Sequence, residues 1–307
     1  MAINPSEANV DRETQKPHRG GYRKVLEHPE HTAGVAYGTL AVTATRPIGV
    51  SMVRVRGTLD HPEPTASWQG TNLAIRLEIP GATDDDPVVS RVYTVQSCSP
   101  GDGVTELEFD VVLHEGRSPM MSWVHTVRPG DHVRILGPRQ HFLPLHIPGR
   151  PVALFADETA IPALGTIIRD WPNDSRGFAW VESADPEAVR TLPERPEVDL
   201  VWLRREPDRE PGTTGQLVQA ARTSLESTGS VPTVWAAGEQ GEMRALRQHF
   251  RTDTGLPKDD VQVFGYWRRA LSSTEIDRRR LERYEQELRR TGTFTVLDEF
   301  EDPGFTS

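Results

Sequence analysis

Cysteine is almost missing: the 307 residues contain one, Cys98. A single thiol cannot build an internal disulfide framework, a thiolate zinc site or a four-Cys iron–sulfur cluster. Redox chemistry in such a chain has to come from a bound organic cofactor or a different metal site. Lysine is nearly as scarce. Of 35 basic residues only Lys16, Lys24 and Lys258 are lysines, so a cationic ligand site has to lean on arginine, whose planar fork suits oxygen-rich anions. Positive charge is short overall, 35 basic against 45 acidic residues for a formal net charge of −10. That balance argues against a nucleic-acid coat protein and against general attraction to anionic membranes. No run of about 18 apolar residues occurs, which removes a membrane-spanning helix. The first twenty residues are polar and lack the apolar core of a secretory signal. The expectation is a cytoplasmic monomer with no nucleic-acid partner and no membrane insertion.

What is present divides in two, as the length suggests. Residues 1–20 read as a flexible N-terminal segment. Residues 21–148 carry short alternating or β-branched runs at 50–59, 72–79, 88–98, 105–113 and 132–136, broken by Gly, Pro and Asp. Such runs without helical periodicity between them predict an antiparallel β-barrel. The exception is 118–127, where Pro119 suits a first helical turn. Residues 149–271 change texture: apolar strand-like runs at 152–156, 177–181, 198–203, 233–237 and 261–266 alternate with helical patterns, the first at 161–171. That alternation predicts a doubly wound parallel α/β sheet. Thr213-x-x-Gln216 and Ser272-x-x-Glu275 have capping-box spacing for two of the helices. Residues 272–307 read as a charged helix with a sparse apolar stripe and a solvated acidic tail.

Chemistry concentrates first in Arg91-Val92-Tyr93-Thr94. Strand residues two apart share a face, so Arg91 and Tyr93 project together, offering a guanidinium to a phosphate and a flat ring to a planar cofactor. Taken alone, the tetrapeptide is a weak match and reads better as a bland edge strand. Its neighbours run in order: His114-Glu115-Gly116-Arg117-Ser118-Pro119, Trp123, Arg128-Pro129-Gly130-Asp131 and Gly137-Pro138-Arg139. Then come Asp157-Glu158-Thr159-Ala160-Ile161-Pro162, Ala237-Gly238-Glu239 with Met243, and Gly265-Tyr266-Trp267-Arg268-Arg269. From about Tyr22 to Ala270 this ordered set resembles the siderophore-interacting proteins, FAD-containing ferric-siderophore reductases of the ferredoxin-reductase superfamily.

The resemblance implies a role for each position. Arg91 would meet the FAD phosphates, Tyr93 would lie on the isoalloxazine, and Thr94 would reach the ring edge. His114 and Gly116–Ser118 would hold the ribityl and pyrophosphate, helped by the amides of the helix that Pro119 opens, since a helix N-terminus presents free N–H groups. Asp157, Thr159 and Ala160 would form the nicotinamide-side loop, with Gly238 and Glu239 on the facing edge. Tyr93, Thr94 and Glu239 would then be catalytic. Arg204 and Arg205 follow a strand at a height suited to an adenosine ribose or its 2′-phosphate, and the choice between NADH and NADPH stays open. Arg139, His141, Arg268 and Arg269 would attract an anionic ferric siderophore despite the acidic whole. Met120 and Ala270 stand where the family usually has a small residue and a glycine. Two other readings of the same features are a flavin reductase for a protein acceptor such as ferredoxin and a non-catalytic iron-chelate-binding flavoprotein. His28-Pro-Glu-His31 reads as a solvated loop, and no resident metal is expected.

Overall fold

The computed structural model describes residues 35–60, 65–79, 89–100, 105–114 and 118–269. Gly116, Ala270, His28, His31 and the charged segment from residue 272 onward lie outside them. Six strands, β1 (Ala36–Ile48), β2 (Met52–Asp60), β3 (Leu73–Ile79), β4 (Val89–Pro100), β5 (Thr105–Val112) and β6 (His132–Gln140), close an antiparallel barrel in the order β1-β2-β5-β4-β3-β6. Alternation places Leu40, Val55, Ile75, Leu77, Leu107, Phe109 and Ile135 inside it.

β1 is not among the expected segments. Its stretch alternates Ala, Thr and Gly more than bulky apolar residues. It becomes a strand because it pairs on both sides, with β2 from Thr39↔Asp60 to Ile48↔Met52 and with β6 from Ala36↔Gly137 to Ala41↔His132. Closure of the barrel overrides a weak local preference. The helix expected after Ser118 is present as α1 (Pro119–Thr126). Ser118 Oγ accepts the Met121 N–H at 3.1 Å, and Pro119 sits where a missing N–H costs nothing. Met120, Met121 and Val124 plug the barrel core.

The second unit is a parallel sheet of β7 (Val152–Ala156), β8 (Gly177–Ser183), β9 (Val198–Arg204), β10 (Thr233–Glu239) and β11 (Val261–Trp267), ordered β11-β10-β7-β8-β9. Helices α2 (Ile161–Arg169), α3 (Pro186–Val189), α4 (Gln216–Thr228) and α5 (Gln240–Gln248) connect the strands. β7 is apolar throughout because both of its faces are covered. Leu154 and Ala156 pack with Ile161, Leu164 and Ile168 of α2, whereas Ala153 and Phe155 pack with Leu217 of α4 and Leu246 of α5. The strand order reverses between β7 and β10, which makes the crevice between their carboxyl ends the topological switch point. The expected capping box at Thr213 does not form. Gly215 is the N-cap in a left-handed conformation (φ 68°), which a glycine enters without strain, and the Thr213 hydroxyl donates instead to the Glu210 carbonyl at 2.7 Å. No described helix is long and apolar enough to cross a membrane.

The two units are docked, not strung together. Ile48 and Met52 of the barrel lie in the same apolar cluster as α2. Gln96 Nε2 of β4 donates to the Pro162 carbonyl at 2.9 Å, Arg169 Nη1 donates to the Gln96 carbonyl at 2.6 Å, and the Asn72 N–H reaches Thr166 Oγ1 at 3.1 Å. A fourth tie is the buried Asp185, which caps α3 through Oδ1 to the Glu187 N–H. Its Oδ2 accepts the N–H groups of Val50 (2.7 Å) and Ser51 (2.8 Å) in the β1–β2 turn. Gly49 has φ +55°, and a Cβ there would stand 2.2 Å from Asp185 Oδ2. Burial pushes the Asp185 carboxyl up, but the amides of Ser51, Val50 and Glu187 outweigh it and hold it below its ordinary value. Asp185→Ala should therefore destabilise the protein by about 1–3 kcal/mol at neutral pH in denaturant melts. A depressed carboxylate contributes its stability above its ordinary pKa and loses it as pH falls through the lowered one, so the gap between wild type and variant should close in acid.

Candidate active site

The register of β3 with β4 splits the Arg-x-Tyr-Thr motif between two faces. Leu77↔Arg91 and Ile75↔Tyr93 put Arg91 and Tyr93 on the face of Ile75 and Leu77, while Arg76↔Val92 and Ala74↔Thr94 put Thr94 with Arg76 on the other. The Tyr93 ring rests on the barrel core, 5.8 Å from Phe109 and tilted by 37°. Burial pushes its phenol above the ordinary range, so it stays neutral and acts as a flat apolar surface with a polar tip. Arg91 Nη1 donates to the Ser90 carbonyl at 2.6 Å. Thr94 is buried. On the other face a shallow open cleft is lined by Arg76, Val92, Leu136, Arg139 and His141, among others. Two of the four expected chelate-attracting residues, Arg139 and His141, thus meet beside Arg76, whose Nη1 donates to Ser90 Oγ at 2.9 Å. Arg76 is not among the residues the sequence motifs point to, and its one signal in the sequence is a charge inside the apolar run Leu73-Ala-Ile-Arg-Leu77.

His114 is exposed at the end of β5, with its N–H directed at Met121 Sδ (3.5 Å), so it borders the start of α1. Ser118 spends its hydroxyl on the Met121 N–H, leaving fewer amides of that turn for an anion than the sequence suggests. This donor set fits FAD: guanidinium groups for phosphate oxygens, an aromatic face for the ring, and a buried hydroxyl one residue away. Cys98 offers no competing thiolate, because burial pushes its pKa up to about 11.

The residues expected on the nicotinamide side converge at the switch point. Asp157 follows β7, and its Oδ1 accepts the Thr159 N–H (2.8 Å) and hydroxyl (2.5 Å). Its Oδ2 accepts Trp267 Nε1–H from the end of β11 at 2.7 Å. Gly238 is required by close approach, since a Cβ there would lie 2.7 Å from Asp157 Cγ. Glu239 ends β10 and caps α5: Oε2 accepts the N–H groups of Gly241 (2.5 Å) and Glu242 (3.0 Å), and Oε1 accepts that of Arg269 (3.2 Å). Ala160 is fully buried, and Arg268 and Arg269 are exposed beyond β11 at this edge, apart from the Arg139–His141 cleft.

Arg205 is also here but already engaged. It is 6% exposed, donates through Nη2 to Glu158 Oε2 (2.9 Å) and through Nη1 to the Arg209 carbonyl (2.7 Å), and lies 3.8 Å from Glu182 Oε1. Glu182 in turn accepts the Thr214 hydroxyl at 2.5 Å, and Glu158 accepts that of Ser183 at 2.8 Å. Burial pushes both Asp157 and Glu182 above their ordinary values, against the pull of their hydrogen bonds. Glu182 and Glu242 were not singled out in the sequence. The available signal for Glu182 was a carboxylate closing the otherwise apolar run Phe178-Ala-Trp-Val-Glu182.

An antiparallel barrel carrying an arginine–tyrosine strand, docked to a parallel sheet with a polar switch point, is the architecture of a two-domain flavoprotein. The chain belongs to the siderophore-interacting protein family: the profile of the siderophore-interacting FAD-binding domain matches residues 42–142, and that of the siderophore-interacting protein matches residues 150–270. It is 34% identical over 280 residues to the ferric acinetobactin reductase of Acinetobacter baumannii, spanning 91% of this chain and 95% of that one. The solved structure of the siderophore-interacting protein from that organism superposes with a TM-score of 0.75 at 34% identity, over 83% of this chain and 99% of the other. Ferric vibriobactin reductase ViuB of Vibrio cholerae is 23% identical over 181 residues, 59% of this chain and 65% of that one.

The Arg205 network yields a test. Arg205→Met leaves the buried Glu182 and the half-buried Glu158 without their countercharge and should cost about 3–5 kcal/mol in denaturant unfolding. An arginine that served only a bound ligand would leave the stability of the ligand-free protein unchanged.

Proposed function

We propose that this protein is a ferric-siderophore reductase that takes electrons from NADH or NADPH, passes them by way of FAD to chelated Fe(III), and releases Fe(II) in the cytoplasm as a monomer. The observation that carries this reading is the seam between the two units. Gln96, two residues beyond Thr94, bonds to Pro162, two residues beyond Ala160, so the arginine–tyrosine strand and the switch-point loop abut. The family membership and the reductase names of its relatives support the substrate class. FAD, when bound, accepts a hydride and returns electrons singly, which joins a two-electron donor to a one-electron acceptor.

The residues divide this work. In the barrel unit, 21–148, Arg91 holds FAD phosphate, Tyr93 packs along the ring and excludes water, and Thr94 presents its hydroxyl at the ring edge. His114, Gly116, Ser118 and Pro119 border the pyrophosphate. In the sheet unit, 149–271, Asp157, Thr159, Ala160, Gly238 and Glu239 shape the nicotinamide crevice, and Arg205 steadies its adenosine side from within its salt bridges. Arg139, His141, Arg268 and Arg269 draw in the anionic chelate. Fe(III) suits the hard oxygen donors of such chelates, and reduction to Fe(II) weakens their grip. One NAD(P)H becomes NAD(P)+ and a proton, and its two electrons reduce two Fe(III).

The decisive experiment is anaerobic. Adding NADH or NADPH to the FAD-loaded protein should bleach the flavin. A ferric siderophore with an Fe(II) trap should then restore the colour and yield two trapped Fe(II) per nicotinamide oxidised. Absence of bleaching, or bleaching with no iron transfer, overturns the reading. Separately, Arg91→Ala should weaken FAD retention by about 10- to 150-fold, the worth of a charged hydrogen bond, with unchanged circular dichroism.

A further inference from the structure

β9 delivers a guanidinium to the carboxyl edge of the parallel sheet, and the sheet has already taken up its charge. The N–H of Arg205 donates to the Ser183 carbonyl at 3.1 Å, which fixes the residue beside the end of β8. Its side chain is enclosed by Glu158, from the turn after β7, and Glu182, from β8, so two carboxylates face one guanidinium. Glu158 is held in turn, because its other oxygen accepts the Ser183 hydroxyl at 2.8 Å. The two acids are not equivalent. The Glu182 side chain is 1% exposed and that of Glu158 is 13% exposed, so Glu158 is the one that keeps part of its surface open.

The connection from β9 to α4 adds no surplus of positive charge. Arg204 and Arg209 are exposed, but they alternate with Glu206, Asp208 and Glu210, which are exposed as well. Water and salt screen exposed charges of both signs, whereas the enclosed group around Arg205 is screened far less. A dianion arriving at this edge reaches the Arg205 guanidinium only by displacing Glu158, and that exchange strips a carboxylate of its countercharge in a poorly hydrated site, which is costly. A neutral hydroxyl asks for no such exchange.

We propose that Glu158 sets the choice of nicotinamide dinucleotide: by holding Arg205 it denies a cation to the 2′-phosphate of NADPH, so the crevice selects the unphosphorylated NADH. The inference rests on the reading that the crevice takes such a dinucleotide, with its adenosine ribose at the end of β9. Within that reading an arginine at this place, considered alone, points to the phosphorylated form, because a guanidinium near the ribose is the usual receiver of a 2′-phosphate. The ion pair reverses that preference. Glu158 acts here as a positioning residue, through the arginine it keeps occupied.

The test measures the Kd of NAD+ and of NADP+, neither of which can reduce the flavin, by equilibrium dialysis against the FAD-loaded protein at neutral pH. The wild type should bind NAD+ at least about tenfold more tightly than NADP+. Glu158→Gln keeps the length of the side chain and an acceptor for its partners but removes the charge. It should tighten NADP+ binding by about tenfold or more, the worth of a charged hydrogen bond, and change NAD+ binding by less than about twofold. Glu210→Gln removes the same charge from the exposed loop and should leave both constants within about twofold of wild type. Equal or tighter binding of NADP+ by the wild type overturns the proposal, as does a Glu158→Gln protein that keeps the wild-type ratio or a Glu210→Gln protein that shifts it as far. Should Glu158→Gln fail to fold or to retain FAD, competition on the wild type decides: 5′-AMP should displace NAD+ at least as well as adenosine 2′,5′-bisphosphate, and tighter binding of the bisphosphate overturns the proposal. Absence of both NAD+ and NADP+ binding by the wild type is a different failure, which overturns the nicotinamide reading itself.

Discussion

The contact on which the molecule depends is the one between β4 and α2. Gln96 and Arg169 lace the two elements together through main-chain carbonyls, and Ile48 and Met52 continue the seam as apolar packing. Hydrogen bonds to main-chain carbonyls fix the spacing of two elements more strictly than apolar surfaces touching alone, since donor–acceptor distance and the angle at the donor hydrogen are both restricted. A strand and a loop that lie far apart in sequence, Arg91–Thr94 and Asp157–Ala160, are held at one junction in this way. Electron transfer between two bound groups needs such fixed proximity, because orientation is the main thing a protein can contribute when the cofactor carries the chemistry.

The second constraint is electrostatic. The chain concentrates acids at the carboxyl edge of its parallel sheet, where an open α/β fold ordinarily welcomes anions. Asp157 and Glu239 fold back to cap the turns that follow their strands, and Glu158 and Glu182 share Arg205. Each of these pairs satisfies groups whose desolvation would otherwise be costly.

Much of this architecture was legible from residue order. β7 announced itself as an apolar run because both its faces are covered, and Pro119 marked the start of α1 because the first helical position needs no N–H. β1 was not legible: a stretch of Ala, Thr and Gly becomes a strand when two neighbours pair with it, a cause that lies at distant positions. Thr213 illustrates the converse, where correct local spacing lost to the left-handed turn at Gly215 two residues later. In the site, the Arg91–Tyr93 pairing on one face followed from strand periodicity, whereas the salt bridges of Arg205 could not be read from its position after β9.

By itself the sequence determined the kinds of groups available and their local geometry: arginine in place of lysine, a single thiol, the alternation that turns Arg91 and Tyr93 the same way, and the change from barrel texture to strand–helix alternation after residue 148. These are properties of composition and of periods two to four residues long, so neighbours along the chain are enough to set them. Only the tertiary structure decided which charges are already spent. Whether Arg205 meets Glu158, whether Arg76 shares a cleft with Arg139, and whether Glu242 stands buried among acids depend on strands brought together from across the chain. Burial and ion pairing are functions of distance in space, which a one-dimensional order of residues does not carry.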